Sequence, residues 1–195
     1  MRLSGGGFFA AFDWTSRRGT VASPLNLTPI DLLLKVIYMQ LLLRERACFI
    51  HGCAVEREGR GYLFFGPSGS GKSTLARTAG GAVLADELVI VKRGVERRPS
   101  YSLYGTPFWG GLNRRAPLTG LFALRFHPDA SSLAPLSRVQ ALRRLLPCLG
   151  GFGAPRSDDA RLFEWASILV RDQRCHEICR SVRSEPWDWF YAVAA

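Results

Sequence analysis

The sequence predicts an α/β domain with a mixed central sheet flanked by helices, and three observations carry that reading. A short apolar strand, G-Y-L-F-F, runs directly into the loop G-P-S-G-S-G-K-S-T and then into a stretch of helical character. Strand-like apolar runs recur at 48–55, 82–85 and 118–126, alternating with helical spacing at 29–46, 135–146 and 160–170. The chain has 195 residues, 47% of them apolar, with no repeat or low-complexity block, so it fits one domain with a full core.

The N-terminal residues, up to 18, begin with Gly5, Gly6 and Gly7 and lack the basic and long apolar regions of a signal peptide. Residues 8–14 suggest a peripheral strand, and 16–27 a polar connection. The stretch Thr28, Pro29, Ile30, Asp31 has the composition of a helix start, with a Thr cap and Pro at the first helical position. The apolar run that follows is interrupted by Lys35 and Gln40, too soon for a bilayer span, so it predicts a helix buried against the sheet and ending in solvent at Arg44, Glu45 and Arg46. Residues 1–28 thus form an N-terminal strand and connection, and 29–195 the main domain.

Residues 48–55 have the apolar content of a central strand. With the turn at 56–60 and the strand at 62–65 they make a hairpin. The loop after it, 66–73, matches G-x-x-x-x-G-K-[ST], the pattern of a nucleoside-triphosphate P-loop. Gly66, Gly69 and Gly71 let successive backbone N–H groups turn inward around phosphate oxygens, with Pro67, Ser68, Ser70 and Thr74 completing the cradle. Lys72 is placed along the outer phosphates and Ser73 as a magnesium ligand, which makes ATP and Mg2+ the expected cofactors. A Gly/Ser linker that happens to contain a lysine is the bland alternative. The strand before the loop and the helix over 72–78 argue against it.

Gly80 and Gly81 end that helix, and a short strand at 82–85 is closed by Asp86 and Glu87. An acid at the end of a strand after a P-loop suits a metal-holding carboxylate. Two adjacent acids allow one to position the ion and the other to accept a proton. A solvated turn is the competing reading. Residues 88–91 then read as an antiparallel continuation of the sheet. His51 interrupts an apolar run; strand histidines are more often satisfied core residues than catalytic ones.

Residues 100–115 mix aromatics with Gly and Pro and predict a loop near the site. Arg114 and Arg115 in it are either phosphate contacts or, more commonly, surface arginines. The segment 150–157 is a connection, 175–182 a last strand, and Trp187, Trp189, Phe190 and Tyr191 pack the C-terminus. The net charge is +10, but only Lys35, Lys72 and Lys92 are lysines and the arginines scatter as pairs without interleaved aromatics. That suits anionic ligands or an acidic partner better than nucleic acid. Five cysteines, Cys48, Cys53, Cys148, Cys175 and Cys179, are simplest as reduced thiols of a cytoplasmic protein. Cys175, His176 and Cys179 lack the second ligand pair that a zinc site needs.

The order His51-Gly52, apolar hairpin, G-P-S-G-S-G-K-S-T, short helix and L-A-D-E resembles the catalytic domain of the HPr kinase/phosphorylase family. It looks closer still to the small HPr-kinase-like proteins, some of which are serine kinases of a biosynthetic precursor peptide. The likeness covers about residues 30–91; beyond, only element order is shared. It implies a single P-loop kinase domain of the HPr kinase and phosphoenolpyruvate carboxykinase-like type. It also implies Asp86 beside the attacking hydroxyl, His51 next to the acids, and Glu87 with Ser73 and Asp86 at the metal. Glu87 stands where the family usually has Asp. The family's phosphorylase signature is not recognisable and no regulatory domain precedes residue 27, so kinase activity without efficient phosphorolysis is expected, with assembly into a homo-oligomer as an option. The competing functions are a free-serine kinase, an ATP-binding or NTPase regulatory module, and a basic nucleic-acid scaffold.

Overall fold

In the computed structural model of this chain, residues 2–5, 8–16, 18–24, 27–78, 80–96, 98–108, 111–126, 132–150 and 158–180 are described. Among these residues there are two sheets, four α-helices and a short 3-10 helix, Leu146–Cys148. Strands β1 (Arg2–Gly5), β2 (Phe8–Asp13) and β3 (Arg18–Ala22) make an antiparallel three-stranded sheet. The expected peripheral strand is therefore its centre, and part of the expected polar connection is its third strand. β3 is exposed along its whole length, so it carries none of the in-out alternation by which strands are read from sequence.

Helix α1 (Leu27–Arg44) starts before Thr28, which therefore lies inside the first turn instead of capping it. Leu33, Val36, Met39 and Leu43 are buried, whereas Ile30, Leu34, Tyr38 and Leu41 remain exposed, so the helix is half-buried. Helix α4 (Asp159–Asp172) closes its C-terminal end: Arg161 donates to the Leu43 carbonyl at 3.3 Å and Trp165 Nε1 to the Arg46 carbonyl at 3.2 Å. Among the described residues no helix is long and apolar enough to cross a membrane.

The main sheet contains β4 (Ala47–Arg57), β5 (Arg60–Phe65), β6 (Ala82–Arg93), β7 (Tyr101–Tyr104), β8 (Arg115–Phe126), β9 (Ser132–Pro135) and β10 (Cys175–Arg180). Its order is β5-β4-β6-β7-β8-β10-β9, and β8 also pairs with β5, so five strands close on themselves. The β4–β5 hairpin turns through Glu58 and Gly59, both at positive φ (53° and 75°), as a two-residue hairpin requires. β8 runs parallel to both β5 and β10, so the C-terminal ends of the three emerge on one side.

Three expectations fail here. β6 does not stop at the acids: Asp86 and Glu87 lie within one continuous strand, and 88–91 extends it with no reversal. Tyr101–Tyr104 is a strand with Tyr101 and Leu103 buried, although Ser, Pro and Gly around it resemble a loop. Helix α3 (Arg138–Leu145) begins after Ser137, whose hydroxyl accepts from the Gln140 N–H while the Gln140 side chain accepts from the Ser137 N–H; Pro135 belongs to β9. The segment 151–157 and Trp187, Trp189, Phe190 and Tyr191 lie outside the described residues.

One apolar cluster joins the closed strands to α3 and α4 through Ile50, Leu63, Phe65, Val89, Leu145 and Leu169. A second packs helix α2 (Lys72–Thr78) on the sheet through Cys53, Phe64, Leu75 and Phe122, and a third holds α1 against β4 through Met39, Phe49 and Leu88. All five cysteines are buried free thiols, and burial raises the Cys48 and Cys175 thiols to about 12.

His176 on β10 stacks on Phe122 at 5.8 Å, and its buried Nδ1 has no partner among the described residues. Burial first, and Arg174 after it, hold its pKa below the ordinary 6.5. The unfolded chain then takes up the proton first, so this group's contribution to stability is present above the unfolded value and lost as pH falls through it. His176→Gln is expected to flatten the fall in Tm between about pH 7.5 and about pH 5.5. An unchanged slope in thermal melts would contradict this.

Candidate functional site

β5 ends at Phe65 and the loop 66–73 begins at the C-terminal end of the parallel strands. Gly69 and Gly71 sit at φ 78° and 90°, which side chains rarely adopt. The Leu75 N–H donates to the Gly71 carbonyl at 2.8 Å, continuing the turn into α2. Leu75 and Ala76 anchor that helix in the apolar cluster, and Cys53 Sγ donates to the Lys72 carbonyl at 3.3 Å.

Strand register carries the acids to this loop. Phe64 of β5 opposes Cys53 of β4, and Cys53 opposes Asp86 of β6, so Asp86 stands two strands across, about 10 Å from β5. Cys53 and Phe64 belong to the face covered by α2, which puts Asp86 on that face too. Ser73, in the first turn of α2, donates its hydroxyl to Asp86 Oδ1 at 3.0 Å. His51, two residues before Cys53, shares the face.

Adjacent strand residues ordinarily point to opposite faces. Asp86 and Glu87 nevertheless line one cleft, of about 570 Å³, together with His51, Ser68, Gly69, Gly71, Lys72, Ser73 and Thr74. The backbone explains it: Glu87 has φ 118°, well outside the range of an extended residue, and the pleat is broken there. The acid pair is neither a solvated turn nor the close of a strand, but an irregularity inside one.

Lys72 is held by the loop itself. Its side chain is 8% exposed and its Nζ donates to the Gly66 and Pro67 carbonyls, each at 2.9 Å. The loop's own oxygens thus hold the ammonium. Ser70 is buried, its hydroxyl without a partner among the described residues; it, Gly66 and the exposed Pro67 do not line the cleft. Burial lowers the His51 pKa most; Lys72 adds to that, while Glu87 and Asp86 oppose it. Neither Arg114 nor Arg115 reaches the cleft: both are exposed, and Arg114 lies 3.8 Å from Glu56.

The Ser73 hydroxyl and the two carboxylates are hard oxygen donors of the kind magnesium takes, few enough that phosphate and water oxygens would complete an octahedron. Among the described residues no three His, Cys, Asp or Glu side chains cluster as a self-sufficient metal cage, and Cys175, His176 and Cys179 make none. The loop expected near the site is present at 105–108 and 111–114; what the sequence did not show is that it ties down the β6 backbone on both sides of the acids. Its glycines were the available signal.

No family model matches the chain, and no curated protein matches it in sequence. Among solved structures it is similar to the Hpr(Ser) kinase/phosphatase from Coxiella burnetii, at 9% identity over 74% of this chain and 93% of that one, with a TM-score of 0.39. A likeness so distant carries no argument about chemistry, which rests on the cleft itself.

Proposed function

We propose that the chain is an ATP-dependent kinase that transfers the γ-phosphoryl group to a hydroxyl. The observation that supports it best is the 3.0 Å bond between Ser73 and Asp86 at the mouth of a glycine loop holding Lys72. On this reading the loop amides at Gly69, Gly71 and Lys72 cradle the phosphates, and Lys72 exchanges the Gly66 and Pro67 carbonyls for phosphate oxygens. A magnesium ion, held by Ser73 and Glu87 with Asp86 alongside, would neutralise charge developing on the phosphate oxygens.

Asp86 accepts the proton of the acceptor hydroxyl as that oxygen bonds to the γ-phosphorus and the bridging oxygen leaves with ADP. His51, whose pKa burial holds below its ordinary value, offers a hydrogen-bonding group beside the acids. The loop and the acids are fixed by strand register before substrate arrives, so the chain supplies catalysis mainly by position. The favoured acceptor is a serine in a protein or peptide, such as a biosynthetic precursor peptide, for which the net charge of +10 suits an acidic partner. Free serine is the next candidate.

The test is incubation with γ-labelled ATP and magnesium in three arms: serine-containing acidic peptides, free serine, and no acceptor. Label is expected in the peptide, with little phosphate released when acceptor is absent. Equal phosphate release in all three arms would make the protein an NTPase.

A further inference from the structure

Residues 105–108 and 111–114 form a loop against β6 where β7 leaves it: β7 pairs with residues 90–93, so among the described residues the β6 edge at 84–88 has no strand partner on that side. Two bonds from the loop take its place. Thr106 Oγ1 donates to the Leu88 carbonyl at 2.8 Å, and the Leu112 N–H donates to the Leu84 carbonyl at 2.8 Å. The tied carbonyls lie two residues to either side of Asp86. A Cβ on Gly105 would stand 1.8 Å from the Leu112 oxygen and 2.5 Å from the Leu84 oxygen, and one on Gly111 would stand 2.0 Å from the Thr106 oxygen. Only glycine lets the loop approach this closely.

Between the two ties Glu87 holds φ 118°. A backbone conformation of this kind costs about 1–3 kcal/mol and persists only where its surroundings over-determine it. Thr106 is 2% exposed and its hydroxyl grips the carbonyl of the residue next to Glu87. We propose that Thr106 is a positioning residue: its bond to Leu88 holds Glu87 in the conformation that turns both acids into one cleft. Its consequence for metal binding rests on the kinase reading; the backbone claim does not.

Melting temperatures of Glu87→Gly and Glu87→Ala, each in the otherwise intact chain and with Thr106→Val, separate the two. In an ordinary strand alanine is the more stable. Here glycine is expected to melt higher than alanine while Thr106 is present, and the order to reverse in the valine background, where the tie is gone. Alanine melting higher in the intact chain overturns the inference, and that comparison needs no folded valine variant. Retention of the glycine advantage with valine overturns it too.

Manganese titrated as the probe ion in the presence of ATP gives the second readout. Thr106→Val is expected to weaken its binding tenfold or more, as a displaced ligand does, and Thr106→Ser to restore it. Wild-type manganese affinity in Thr106→Val overturns the role of Thr106 at the metal. Should the stability order hold while no variant, wild type included, binds manganese or ATP, the kinase reading fails and the backbone claim stands.

Discussion

Lys72→Ala is expected to abolish phosphoryl transfer, by a factor of about 10²–10³ or more, and to weaken ATP binding. The side chain is almost wholly buried and its ammonium already sits among oxygens, those of Gly66 and Pro67. A polyphosphate entering the loop offers the same ammonium charged oxygens, which bond more strongly than neutral carbonyls. Alanine removes that partner and leaves two carbonyls without their donor, at about 1–3 kcal/mol of stability if water does not replace it. Transfer and binding are therefore measured at a temperature where melts show the variant folded. ATP affinity equal to wild type in a folded Lys72→Ala protein would remove Lys72 from the phosphate site.

Asp86→Asn is expected to lower transfer by roughly two to four powers of ten while nucleotide stays bound. The amide oxygen of asparagine still accepts the Ser73 hydroxyl, so the tie between α2 and β6 survives and only the proton acceptor is lost. Single-turnover rates with saturating ATP isolate the chemical step. Near-normal rates would assign the base elsewhere, with His51 the next candidate because it shares the face and the cleft.

The part of the site that could be read from sequence is the part whose residues have one physical use. The hairpin of β4 and β5 is two apolar runs around a short polar turn, and Gly69 and Gly71 occupy positive φ as their residue type suggests. The helix at Lys72–Thr78 has the boundaries its pattern indicated. The acids misled because two charged side chains inside a buried strand resemble its end. What permits them is the φ of Glu87, a conformation glutamate does not advertise. Tyr101–Tyr104 was hidden by its neighbours, and β3 by having no buried face. The pose of Lys72 depends on what shares its pocket, and a motif records no occupant.

The grip of residues 66–73 on a triphosphate opposite Asp86 is tested most directly by a crystal structure of the protein with magnesium and a non-hydrolysable ATP analogue. The account expects the phosphates on the loop amides, Lys72 Nζ moved from the Gly66 and Pro67 carbonyls onto phosphate oxygens, and the γ-phosphate facing Asp86. Lys72 still on those carbonyls, with the analogue bound elsewhere or not at all, would contradict it.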